Sequence, residues 1–117
     1  MKRLPDFDRG DVVRVPFPYT DRATRQHRPA LVVSRGGLGD GGSLLWVVMI
    51  TSAANRGRPG DVSLIDRYEA AGLPAPSVVR SAKIATIEAR HAERIGRIGK
   101  PLWAEVSSAL RHHLGFE

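Results

Sequence analysis

The frequent glycine and proline residues are the feature that most restricts what this chain can fold into. Twelve Gly and eight Pro are spread through 117 residues and divide the sequence into short apolar runs. Gly and Pro interrupt helices and strand ladders, so few stretches are long enough for a stable helix. Runs rich in β-branched residues between such turn signals are typical of strands. The chain is therefore expected to consist mainly of short strands.

Six apolar runs fit this expectation. We predict strands at residues 12–15, 30–33, 44–51, around 62–64, at 77–87 and at 95–98. The run at 44–51 is apolar almost throughout, which predicts burial on both faces of the sheet. The glycine-rich stretch 36–42 lacks the Lys-Ser/Thr ending of a phosphate-binding loop, so it is interpreted as a hairpin connection. A helical turn ended by Gly72 is predicted at 66–71.

Near the end of the sequence, apolar residues recur with the period of a helix rather than that of a strand. Pro101 stands where a helix tolerates proline best, in its first turn. Trp103, Val106, Leu110 and Leu114 then recur on one helical face, and Gly115 is a suitable stop. With no linker or repeat in the sequence, one domain covering residues 1–117 is expected. Its predicted class is mostly β (α+β): a small barrel of short, mainly antiparallel strands with a C-terminal helix.

The charge balance points to a polyanionic partner. The net charge is +6, and fifteen of the eighteen basic residues are Arg. The planar guanidinium binds phosphate through two parallel hydrogen bonds. A GC-rich genome also favours Arg, so composition leaves both explanations open.

Other features narrow the function classes. The sequence contains no Cys, which excludes disulfides, zinc–thiolate sites and thiol nucleophiles. His112 and His113 are helix neighbours that do not share a face, so a metal site there is not expected, nor is any cofactor. No signal peptide or membrane span is visible, and the expected location is the cytoplasm.

Hairpin geometry brings together two residues with suitable chemistry. A hairpin centred on the glycine-rich stretch pairs residues whose numbers sum to about 79. That register places Arg28 opposite Thr51, at the open end of the hairpin. Other basic side chains are expected around this rim: Arg22, Arg25, His27, Arg56 and Arg58. A guanidinium and a hydroxyl at a basic rim suit a phosphate, but both are also ordinary strand residues.

Several blocks of sequence, in order, resemble one family. These are GDVVRVPFPYTD at 10–21, HRPALVVS at 27–34, ITS at 50–52, GLPAPSVVR at 72–80 and KIATI at 83–87. Together they are similar to the MazF/PemK toxins of type II toxin–antitoxin systems, over residues 10 to 99.

The resemblance implies a fold, an activity and a set of partners. The implied fold is a Kid/CcdB-type barrel, usually a homodimer, and the activity is metal-independent cleavage of single-stranded RNA at short sequences. The implied partners are RNA, a second copy and a cognate antitoxin. In that family the Arg of the R-P motif and the Thr of the I-T-S motif are the catalytic pair, which carries over to Arg28 and Thr51. The residues expected to bind substrate are Thr20, Arg22, Arg25, Ser52, Arg56, Arg58 and Lys83.

The expected chemistry is attack of the RNA 2′-hydroxyl on the adjacent phosphate. Arg28 would stabilise the charge of the phosphorane, and Thr51 would add a hydroxyl donor. Because Arg is a poor base, His27 is the candidate for proton transfer, with a solvated loop histidine as the alternative.

Two other functions remain possible at this point. A CcdB-like gyrase poison would use the same fold, but the chain ends Leu-Gly-Phe-Glu and lacks that family's Trp-Gly-Ile tail. A non-catalytic basic barrel that only binds nucleic acid would need the charge but not Thr51.

Overall fold

The fold is a six-stranded sheet followed by a helix in a computed structural model that describes residues 6–16 and 27–116. The strands are β1 (Asp11–Pro16), β2 (His27–Val32), β3 (Leu44–Ser52), β4 (Asp61–Ser63), β5 (Ser77–Glu88) and β6 (Glu93–Arg97). The helix, α1, covers Lys100–Leu114. The predicted mostly β fold with a C-terminal helix is confirmed. The helical turn predicted at 66–71 is part of a series of hydrogen-bonded turns at 65–72.

The sheet is antiparallel throughout, with the strand order β4-β5-β3-β2-β1-β6. In the β2–β3 hairpin, Ala30 pairs with Met49, Leu31 with Val48 and Val32 with Val47. This is the predicted register. A one-residue slip would have turned every side chain of β2 to the opposite face, so the register decides which residues can meet at the end of the hairpin.

Apolar side chains are buried on both faces of the sheet. Val12 belongs to a cluster that includes residues of α1, whereas its neighbour Val13 belongs to a second cluster on the other face. Val47 and Val48 divide between the two clusters in the same way, so burial of β3 on both faces is confirmed along its middle. The prediction of burial is wrong at Trp46, which is 49% exposed because the apolar cluster under α1 does not extend to it.

Helix α1 packs on the sheet through a face that was predicted in part. Leu102 and Val106 are buried, and Trp103 and Leu110 are partly buried against the same cluster. Leu114 was predicted on this face but is 69% exposed, because it is the last residue of α1 and contacts no core cluster. The predicted stop is confirmed: the residue after Leu114 is a left-handed Gly whose N–H donates to carbonyls of the last turn.

Two contacts fix the edge of the sheet around β1 and β6. The buried carboxylate of Asp11 accepts hydrogen bonds from Arg94 at 2.9 Å and from Arg97 at 2.6 Å. The turns at 65–72 approach β6 so closely that a Cβ on Gly96 would lie 2.0 Å from the carbonyl oxygen of Ala71. Among the described residues, no helix has the length and apolar character to cross a membrane.

Candidate functional site

A cavity of about 250 Å³ lies at the open end of the β2–β3 hairpin. Arg28 and Thr51 both line it, and continuing the β2–β3 register by two residues would place them opposite each other. The rest of its lining comes from the ends of β2 and β3 and from the segment before β5: Pro29, Ile50, Ser52, Asn55 and residues 73–77. The structure thus brings together a guanidinium and a hydroxyl that are far apart in sequence.

Thr51 presents its hydroxyl from a rigid position. It lies in β3, pairs with Val78 of β5, and is 9% exposed. Its Oγ1 accepts a hydrogen bond of 3.1 Å from the side-chain amide nitrogen of Asn55. A hydroxyl has one proton and two acceptor positions, so this bond leaves the proton of Thr51 available to a ligand.

The loop that carries Asn55 is a turn held by side-chain hydrogen bonds. Ser52 ends β3 and its Oγ accepts from the Ala54 N–H at 3.2 Å, which begins a short 3₁₀ turn at Ala53–Asn55. The Arg56 guanidinium then donates to the Ala53 carbonyl at 3.1 Å. Ser52, which was expected to bind substrate, lines the cavity, and its hydroxyl oxygen also shapes this loop.

An ion pair anchors the same loop to β5. The Arg80 guanidinium donates to both carboxylate oxygens of Asp61, at 3.2 and 3.1 Å, and to the Asn55 carbonyl at 2.6 Å. Burial would raise the pKa of Asp61, but the hydrogen bonds from Arg80 and the Arg58 N–H outweigh it and hold that pKa below 3.8. The same pairing, with the hydrogen bond to Asp61 as its main cause, raises the pKa of Arg80.

Sequence reasoning missed the roles of Asn55, Asp61 and Arg80 at this site. Arg80 ends the motif GLPAPSVVR, and that position was the available signal. Its partner lies 19 positions away and the carbonyl that it binds lies 25 positions away, which no spacing rule predicts.

A second cavity of about 490 Å³ adjoins the first across this loop. Arg56 and Arg58 line it, next to Asp61 and Ser63 of β4. The two arginines predicted at the rim therefore lie beside the cavity of Arg28 and Thr51 rather than within it.

The other predicted residues lie elsewhere or outside the described chain. His27 is exposed, pairs with Pro16 of β1, and is not among the residues lining either cavity. Neighbours on a strand point to opposite faces, which separates His27 from Arg28. Lys83 is also exposed and lines neither cavity; it lies where the β3–β5 register shifts. Thr20, Arg22 and Arg25 fall in the segment 17–26, which is outside the described residues.

The arrangement suits a phosphate more than a metal ion. A guanidinium and a hydroxyl proton are hydrogen-bond donors, and the adjoining loop adds two more cations. Within residues 6–16 and 27–116, no three His, Asp or Glu side chains are grouped so that they could hold a metal. The site can bind an anion and stabilise negative charge that develops on it.

Comparison with known proteins gives one family. Residues 8–114 match the model described as "PemK-like, MazF-like toxin of type II toxin-antitoxin system". A solved MazE–MazF structure from Deinococcus radiodurans is 26% identical, with a TM-score of 0.74, and the match covers 97% of this chain and 99% of that one. No match is found among curated proteins.

Two mycobacterial structures share the fold at lower identity. The toxin MazF-mt6 of Mycobacterium tuberculosis is 20% identical, with a TM-score of 0.71, over 92% of this chain and 98% of its own. An endoribonuclease in complex with its cognate antitoxin, from a mycobacterial species, is 20% identical with a TM-score of 0.70, over 94% and 96%.

Proposed function

Because this chain belongs to the PemK-like, MazF-like toxin family of type II toxin–antitoxin systems, we propose that it is an endoribonuclease that cleaves single-stranded RNA at short sequences without a metal ion. The observation that carries the proposal is that Arg28 and Thr51 line one cavity. The resemblance assigns catalysis to these two residues. The fold thus supports the pair on grounds that do not depend on the motifs.

The proposed reaction uses the nucleophile that RNA supplies. The 2′-hydroxyl oxygen forms a bond to the adjacent phosphorus, and the bond from phosphorus to the 5′-oxygen of the next nucleotide breaks. The proton of the 2′-hydroxyl is removed and a proton is delivered to the leaving oxygen. The products are a 2′,3′-cyclic phosphate and a 5′-hydroxyl end.

Arg28 and Thr51 serve the charge that develops on the phosphate. The guanidinium keeps its charge at neutral pH and can donate to two non-bridging oxygens at once. The Thr51 hydroxyl donates a third hydrogen bond from a buried, fixed position. A preorganised donor of this kind contributes roughly 3–4 kcal/mol to transition-state stabilisation.

His27 is our candidate for proton transfer, because histidine is the residue most often used as a general acid or base and it precedes Arg28 in the sequence. Its side chain is exposed at the start of β2 and does not line the cavity in the described part of the chain. We expect His27→Ala to alter the pH–rate profile between about pH 5 and 9. An unchanged cleavage rate across that range would remove His27 from the mechanism.

The remaining basic residues are assigned to RNA binding. Arg56 and Arg58 line the cavity next to the catalytic one and would contact phosphates of neighbouring nucleotides. Lys83 is exposed on β5 and is assigned a contact with RNA outside the two cavities. Thr20, Arg22 and Arg25 are assigned to RNA binding on the resemblance alone.

A test with Thr51→Val separates a nuclease from a protein that only binds RNA. The substitution removes the hydroxyl and keeps the shape of the side chain. We expect cleavage to fall by two to three orders of magnitude, about 3–4 kcal/mol, while RNA affinity barely changes. Wild-type protein that binds RNA without cutting it would contradict the nuclease. Cleavage and affinity that fall together, or that both remain, would remove Thr51 from the catalytic pair.

Two protein partners complete the proposal. A cognate antitoxin would cover the RNA-binding cavities, and the toxin would act in the cytoplasm as a homodimer. Trp46 and Ile84 are about half exposed on neighbouring strands and share one face of the sheet, a surface that a dimer could bury. Light scattering at micromolar concentration should give the mass of two chains; a monomer would contradict the dimer.

A further inference from the structure

We propose that Asn55 is a positioning residue: its side-chain amide orients the Thr51 hydroxyl so that the hydroxyl proton points to the scissile phosphate. This inference rests on the proposed function and extends it to a residue outside the motifs. Asn55 lies in the loop after β3 and lines the same cavity as Arg28 and Thr51.

The hydrogen bond between the two side chains has a direction that matters. The amide nitrogen of Asn55 donates to Thr51 Oγ1 over 3.1 Å. An amide N–H has no acceptor capacity, so the Thr51 proton cannot point back to it. The proton must then point to another acceptor, and a phosphate oxygen of a bound RNA is the acceptor that the proposed reaction requires. A hydroxyl rotor without this bond would divide its time among several directions.

The Asn55 backbone is held independently of its side chain. Arg80 donates to the Asn55 carbonyl, and Asp61 fixes the Arg80 guanidinium through two further bonds. Ser52 caps the start of the same turn. The loop keeps its anchors when the Asn55 side chain is truncated, so a loss of activity on truncation reports on the amide itself.

The expected effect of Asn55→Ala is on the chemical step. Loss of one orienting hydrogen bond should lower the single-turnover cleavage rate by about 5- to 20-fold. RNA affinity should change by less than about twofold, because an interaction that acts through Thr51 is used only when the phosphate gains charge.

Asn55→Asp tests the direction of the bond. A carboxylate of nearly the same shape can only accept, so it would draw the Thr51 proton away from the phosphate. We expect a larger loss than with Asn55→Ala. Ala54→Asp adds the same charge at the neighbouring exposed residue and controls for repulsion of the phosphate. If both Asp variants lose activity equally, charge explains the effect and the inference fails.

A double-mutant cycle with Thr51→Val is the decisive experiment. Wild type, Asn55→Ala, Thr51→Val and the double variant are compared in single-turnover cleavage of a fluorescent RNA, with circular dichroism to verify folding. If Asn55 acts through the Thr51 hydroxyl, Asn55→Ala has no further effect once that hydroxyl is gone. An equal loss in both backgrounds, or no loss in the wild-type background, would overturn the inference.

The outcome separates this inference from the proposed function. Arg28→Ala is included as a reference. If Arg28→Ala and Thr51→Val lower the cleavage rate by about two orders of magnitude or more and Asn55→Ala cleaves at the wild-type rate, the nuclease stands and the role of Asn55 fails. If the wild-type protein leaves the RNA intact, or if Arg28→Ala and Thr51→Val both cleave as wild type does, the proposed function fails, and the inference falls with it.

Discussion

Replacing Asp61 by Asn should destabilise the protein by about 2 kcal/mol. The Asp61 carboxylate is 8% exposed and holds the Arg80 guanidinium, itself 14% exposed, through two hydrogen bonds. An Asn side chain can accept only one of these bonds and leaves the guanidinium without its countercharge. For a domain of this size, the loss corresponds to a decrease in Tm of about 6–12 °C. Asp66→Asn, which removes the same charge from an exposed residue, should change stability by less than about 0.5 kcal/mol.

The destabilisation caused by Asp61→Asn should depend on pH, in a direction set by the lowered pKa of Asp61. The pKa of Asp61 in the folded protein lies below 3.8. The unfolded state therefore binds the proton more tightly, and the contribution of Asp61 is fully present above about pH 4 and is lost as the pH falls through the lower folded pKa. Asp8 also has a lowered pKa, chiefly from the Arg9 N–H, but it is common to both proteins and cancels in their difference.

Urea unfolding of wild type and Asp61→Asn, followed by circular dichroism from about pH 2 to pH 7, measures that difference directly. We expect the two free energies of unfolding to converge at the acidic end. A constant difference at all pH values, or equal stability at pH 7, would refute the account of the Asp61–Arg80 pair.

Three further substitutions test the packing around the site, each by thermal unfolding. Asp11→Asn should cost about 2–3 kcal/mol, because it replaces a buried carboxylate that accepts hydrogen bonds from Arg97 and a second guanidinium. A variant as stable as wild type would contradict the role of this ion pair. Gly96→Ala should cost about 3 kcal/mol or more, since its Cβ would lie 2.0 Å from the Ala71 carbonyl; a fully stable variant would mean that the two segments lie farther apart. Val106→Ala, which empties a fully buried position on α1, should cost about 2–3 kcal/mol, and a cost below about 0.5 kcal/mol would contradict its burial.

Much of the sheet could be predicted because its signals are local. The glycine-rich stretch at 36–42 sits between two apolar runs, and a hairpin centred on it predicts the pairing of β2 with β3 that the structure has. Register then placed Arg28 and Thr51 at the same end of the hairpin, and the structure has both lining one cavity. Pro101 and Gly115 marked the ends of α1 within one residue.

The parts that could not be predicted depend on contacts between distant segments. Exposure of Trp46 depends on where α1 crosses the sheet, and the period of β3 carries no information about that. The anchor from Arg80 to the Asn55 carbonyl joins β5 to a loop, and one partner is a backbone atom that every residue possesses. Residue type therefore cannot identify it.

Incubation of the purified protein with a long single-stranded RNA in EDTA, with the fragment ends mapped, tests the central claim most directly. Arg28→Ala is the test variant, and Arg35→Ala, an exposed arginine by the glycine-rich loop at the other end of the hairpin, controls for loss of charge. We predict cuts at one short sequence with 5′-hydroxyl ends for wild type and Arg35→Ala, and intact RNA for Arg28→Ala. Intact RNA with the wild-type protein, or equal cleavage by Arg28→Ala, would contradict the account.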